Sequence, residues 1–206
     1  MRISVVTYLL LIAIVLNSCN EKRNITEIAQ YINSPENGLT KVKELGPLTY
    51  TARYETPEIM TYKELGRNGD QSPEFKKLLK ERKDYFQIVL RVASSEEDNN
   101  VSLFKKISKD KKQQFELNNY FQNFAQVDFE FLIDGESYAP TVYQFMSANG
   151  ATPYEEIVLG FDKSLYEIDQ IVSKIQLVYN DEIFKHGPIY FTYNNKDIQN
   201  IPYLNF

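Results

Sequence analysis

Residues 127–138 read VDFEFLIDGESY. Val127, Phe129, Phe131 and Ile133 alternate with Asp128, Glu130 and Leu132, and side chains of successive strand residues point to opposite faces. The spacing predicts a half-buried strand. Asp134-Gly135 then supplies a two-residue turn, the strongest short-range signal for a hairpin. Working outward, further strands are expected over 136–139, 141–147, 154–161, 174–179, 187–193 and 197–204, punctuated by Asn149-Gly150, Asn180-Asp181 and Asn194-Asn195. Segment 162–173 fits a strand or a helical turn or two, with Leu165, Ile168, Ile171 and Val172 at helical spacing. Short strands so spaced suggest a sandwich of Ig-like type over residues 109–206.

Helical signals dominate upstream. Residues 111–125 carry Leu117, Tyr120, Phe121 and Phe124 at i, i+3, i+4 and i+7, the spacing of one buried helix face. Asn24 with Glu27 reads as a capping box, followed by Ile25, Ile28 and Ile32 on one face and a turn over 33–38. Thr56-Pro57 and Ser72-Pro73 start two more helices, because proline suits the first helical position; Gly66 ends the first and Arg82 the second. Strands are expected over 40–45, 48–54, with alternating Leu48, Tyr50, Ala52 and Tyr54, and 85–92, followed by a polar loop over 94–100. The fold class is therefore α+β: a mixed region over 24–108, then the β-rich, Ig-like sandwich-type region over 109–206. No linker marks the boundary, so a single mixed domain is the alternative. Neither repeats nor low-complexity segments are present.

The first twenty residues are MRISVVTYLLLIAIVLNSCN. Arg2 precedes an apolar run from Ile3 to Leu16, which as a helix spans roughly 21 Å. A bilayer core is about 30 Å thick, so the run fits the apolar part of a signal peptide better than a membrane span. It ends in Leu16-Asn17-Ser18-Cys19, which resembles the lipobox of bacterial lipoproteins. The resemblance implies that residues 1–18 are removed, that Cys19 carries a diacylglycerol thioether and that residues 19–23 form a short tether. Two acyl chains supply the two signals that stable anchoring needs. Tyr31–Leu39 and the overall composition resemble uncharacterised envelope lipoproteins of Bacteroidota. Asn20, rather than aspartate, follows the lipid-bearing position, which favours the outer over the inner membrane.

Composition narrows the function classes. The whole chain has 23 basic and 28 acidic side chains, and the Lys76-Lys77, Lys105-Lys106 and Lys111-Lys112 pairs read as solvated helix faces, so a nucleic-acid partner is not expected. Cys19 is the sole cysteine and His186 the sole histidine; a zinc site takes several such ligands. His186 lies in a turn with no Gly-x-Ser-x-Gly elsewhere, and is expected to be exposed and non-catalytic. Glu155 and Glu156 are adjacent, so on a strand they face opposite ways. Asp128, Glu130 and Glu136 are the candidate oxygen cluster for a metal such as Ca²⁺, against their reading as a charged edge hairpin. Asp98-Asn99-Asn100 lacks the rest of a calcium loop, and Gly66-Arg67-Asn68-Gly69 is a turn rather than a phosphate cradle. Tyr50, Tyr54, Tyr62, Tyr190 and Tyr193 could form a contact surface, although the lack of tryptophan weighs against sugar stacking. No catalytic residue and no cofactor is expected. The reading is a non-enzymatic accessory or structural subunit with two partners, the lipid bilayer through acylated Cys19 and a membrane protein. The alternative is a lipoprotein that captures a glycan or peptide.

Overall fold

A computed structural model describes residues 25–66, 72–95, 101–133, 135–148, 151–165 and 174–203. The lipobox, the tether and Asn24 lie outside these, as do residues 67–71, 96–100, 134, 149–150 and 204–206 and most of the ambiguous 162–173 segment. Helix α1 (Ile25–Asn33) buries Ile25, Ile28 and Ile32. Strands β1 (Thr40–Leu45) and β2 (Leu48–Glu55) join through Gly46, whose φ of 57° suits glycine. Helix α2 (Pro57–Leu65) starts where Thr56 Oγ1 accepts from Ile59 N at 3.3 Å and ends at left-handed Gly66. Ser72 Oγ accepts from Phe75 N at 3.1 Å to start α3 (Pro73–Arg82). Strand β3 (Tyr85–Ser94), α4 (Leu103–Ile107) and α5 (Lys111–Asn123) follow. The remainder is β4 (Phe129–Ile133), β5 (Glu136–Tyr138), β6 (Val142–Met146), β7 (Tyr154–Asp162), β8 (Lys174–Asp181), β9 (Gly187–Asn194) and the short α6 (Asn195–Gln199).

The protein is α+β, with two antiparallel sheets. One runs β1-β2-β3-β7-β6 and the other β5-β4-β8-β9. Aromatic side chains from the two sheets meet in the core. Phe131 of β4 lies 4.8 Å from Phe86 of β3 and 4.3 Å from Phe161 of β7, ring centre to ring centre. Each such pair contributes about 0.5–1.5 kcal/mol beyond the area it buries. The division at 108/109 runs through the first sheet, where β3 pairs with β7, Ile88 opposite Leu159, while the second sheet lies wholly after it.

The hairpin at 133–136 forms as expected, with Ile133 opposite Glu136 and Gly135 at φ 91°. Its approach differs. Residues 125–128 make a 3-10 turn in which Val127 is 82% exposed and Asp128 is buried, the reverse of the alternation. The cause is Tyr120, whose hydroxyl donates to Asp128 Oδ2 at 2.8 Å and draws the carboxylate inward. Helix α5 stops at Asn123 and fully buries only Phe121, while Phe124 is exposed. The expected strand at 197–204 is instead α6 over 195–199. Asn180 and Asp181 belong to β8. The chain reverses after them, through Lys185 and Gly187, both in the left-handed region.

Candidate functional site

His186 is not a free turn residue. Its Nδ1 lies 2.9 Å from Asp181 Oδ2 and 2.9 Å from the Tyr50 hydroxyl. The Asp181 side chain is wholly buried. It also accepts from Tyr50 OH at 3.0 Å, Tyr179 OH at 3.3 Å, Phe184 N at 2.9 Å and His186 N at 3.4 Å. Burial, reinforced by the Asp181 charge, pushes both tyrosine hydroxyls well up, so they stay protonated donors. Tyr50 stands on β2 in one sheet and Asp181 on β8 in the other, so this polar knot ties the layers together. An aspartate on Nδ1 also orients the imidazole of catalytic triads. Here Nε2 lies beside Gly46, with no hydroxyl or thiol hydrogen-bonded to it among the described residues. The five-residue spacing of Asp181 and His186 was a sequence signal for this knot; Tyr50, 131 residues from Asp181, was not.

The candidate metal carboxylates are held separately. Asp128 accepts from Tyr120 as above. Glu130 accepts from Ser137 Oγ at 2.8 Å and Asn180 Nδ2 at 3.2 Å, and Glu136 accepts from Tyr138 OH at 2.7 Å. Register opposes Glu136 to Ile133, three residues from Glu130, so the hairpin does not bring the three together. Glu155 and Glu156 do face opposite ways. Glu155 is buried and accepts from Ala148 N at 2.8 Å and Phe104 N at 3.5 Å, and burial raises its carboxyl above the usual range. Glu156 pairs with Arg91 at 2.5 Å. The tyrosine surface does not assemble, because Tyr50, Tyr54 and Tyr193 are core residues and only Tyr190 is well exposed.

The feature that sequence reading missed is a cleft of about 620 Å³ where α2 and α3 meet the β3-β7-β6 side of the first sheet. Its apolar lining includes Met60, Leu78, Tyr85 and Val142. Glu81, Asp84 and Asp162 line it too, against one guanidinium, that of Arg82. A terminal nitrogen of Arg82 is held by Glu64, while its Nε is buried without a hydrogen-bond partner. Asp162 Oδ1 accepts from Ser164 N at 2.8 Å and Ser164 Oγ at 2.6 Å, which holds that carboxyl below its usual range and keeps it charged. Nearby, Lys163 Nζ donates to Lys83 O at 3.0 Å. A side-chain carbon on Gly160 would stand 2.9 Å from Val142 Cβ, so glycine is what lets β6 close on β7 at the cleft wall.

Strand β6 is also an edge of its sheet. Its Val142, Gln144 and Met146 are exposed, while Tyr143 and Phe145 turn inward. The Tyr143 hydroxyl donates to Phe121 O at 2.6 Å. Native edges are blunted by charge, proline or shortness. Here β1 carries Lys41 and Lys43, β5 has three residues and β9 contains Pro188; Val142–Met146 has none of these devices.

No protein-family profile matches the chain, and no curated protein matches it by sequence. Among solved structures, the chain is similar to a DUF4426 family protein from Pseudomonas aeruginosa PAO1, at 10% identity and a TM-score of 0.34 over 76% of this chain and 92% of that one. A likeness of that size carries no argument about fold or function.

Proposed function

We propose that the chain is a lipid-anchored envelope lipoprotein acting as a non-enzymatic accessory or structural subunit of a membrane protein complex. The observation that carries the reading is the lipobox-like Leu16-Asn17-Ser18-Cys19 placed six residues before the first described helix, which begins at Ile25. Six residues reach at most roughly 21 Å, so the fold is held close to the bilayer, where a membrane protein could be met. Exposed Phe115, Phe124 and Val127, on α5 and the turn after it, suit a surface that meets protein. Asn20 favours the outer membrane. As a fold, we read the two sheets as a sandwich of Ig-like type, supported by the interlayer contacts of Phe131.

Labelled palmitate and a C-terminal affinity tag test the reading together. The wild-type chain should take up the label and co-purify with a membrane protein at fixed stoichiometry, and Cys19→Ala should lose the label. An unlabelled wild type would refute the anchor, and a solitary labelled protein would refute the subunit role. The second reading, capture of a glycan or peptide, is favoured by the cleft, whose volume is in the range of small-ligand sites. With Tyr85 as the one aromatic in its lining, a peptide suits it better than a stacked sugar.

A further inference from the structure

We propose that the β6 edge is where the partner docks, by adding an extended segment as a sixth strand and seating a lysine or arginine side chain of that segment in the adjoining cleft. The inference rests on the docking reading above and names the chemistry of the partner at this site.

An added strand needs a sheet edge with unpaired backbone groups and no charge or proline to repel it. Of the four sheet edges among the described residues, only β6 meets that description. Its inward face is braced: Phe145 packs 5.8 Å from Phe104 and 5.4 Å from Phe121, ring centre to ring centre. Its outward face presents Val142 and Met146 at 41% and 47% exposure, apolar positions that a partner strand would cover. An open edge of this kind is an association hazard unless something occupies it.

The charge of the cleft selects the occupant. Val142 belongs both to the edge and to the cleft wall, so a strand added along β6 passes the cleft mouth. Of its three carboxylates, Glu81 pairs with Lys77 at 3.9 Å and Asp84 lies near enough to Lys163 to interact, while Asp162 accepts from Ser164 and meets no cation within salt-bridge distance among the described residues; Arg82 pairs with Glu64. That carboxylate, Asp162, fits a cationic side chain.

The test titrates the full-length chain, in mild detergent, with the amidated heptapeptide Thr-Val-Thr-Val-Thr-Lys-Thr and with its Glu-for-Lys counterpart, followed by nitrogen–proton correlation spectra. The expected result is that the lysine peptide shifts the amides of Val142–Met146 and Gly160, with the glutamate peptide about tenfold weaker. The double variant Val142→Lys/Met146→Lys should weaken the lysine peptide by about tenfold or more. Val42→Lys, an exposed position on the opposite edge, should leave it unchanged. Shifts that avoid β6, equal affinity for the two peptides, or equal loss in Val42→Lys would overturn the proposal. So would a wild-type dimer that Val142→Lys/Met146→Lys dissolves, which would give the edge to a second copy. The two levels fail separately. A membrane partner retained equally by the double variant would keep the docking reading and refute this site. A wild type with no partner would refute the docking reading, while the peptide titration still decides the edge.

Discussion

The Asp181 end of the molecule and the β6 side treat polar groups in opposite ways. At Asp181 a fully buried carboxylate meets two tyrosine hydroxyls, two backbone amides and an imidazole. A buried network satisfied to that degree rigidifies a fold and specifies its packing. At the cleft, carboxylates line open space, Arg82 Nε has no partner and the neighbouring edge is unguarded. The contrast assigns stability to one region and contact to the other.

The largest expected effect lies at the closed end. Asp181→Ala strands the donors that converge on it and should cost about 3 kcal/mol or more, read as a fall in urea midpoint. A loss near zero would erase the contrast. Next comes Gly160→Ala, whose new methyl must push Val142 away. It should cost about 2 kcal/mol, and adding Val142→Ala should recover most of that if the contact is the cause. Val142→Lys/Met146→Lys should change stability by no more than about 0.5 kcal/mol, the usual range for surface sites, while lowering partner capture; a large loss of stability would show that the edge is structural.

The smallest effect is a pH slope. Burial is the first cause raising the carboxyl of Glu155, opposed by its two backbone hydrogen bonds, and burial raises that of Asp128 as well. A carboxyl raised on folding holds its proton in the native state after the unfolded chain has lost it. Stability from that source is present at low pH and is lost as pH rises from the ordinary carboxylate range through the raised value. Glu155→Gln should therefore show a smaller drop in urea midpoint between about pH 4 and pH 7 than the wild type. An unchanged slope would remove Glu155 as its source.

Much of the local architecture was legible because local chemistry decides it. Thr56-Pro57 and Ser72-Pro73 cap and start their helices within a few residues, and alternation in 48–54 and 129–133 is a backbone property. Val127 and Asp128 were misread because a tyrosine on the preceding helix outweighed the alternation. Pairing between β3 and β7 was not legible, since alternation marks a strand without naming its neighbour. The cleft was hidden for the same reason: its walls come from residues 60–87 and 142–164, and no spacing in the chain announces that meeting. The anchor is the reverse case, a reading that rests on residues 1–20 and on nothing distant.

The most direct test of the account is photo-crosslinking in intact membranes from a benzoyl-phenylalanine placed at position 146, with the same group at position 42 as the comparison. The account expects one discrete adduct with a membrane protein from position 146, none from position 42, and loss of the adduct in Cys19→Ala. Adducts of equal yield from both edges, or none from position 146 in a well-folded anchored chain, would contradict it.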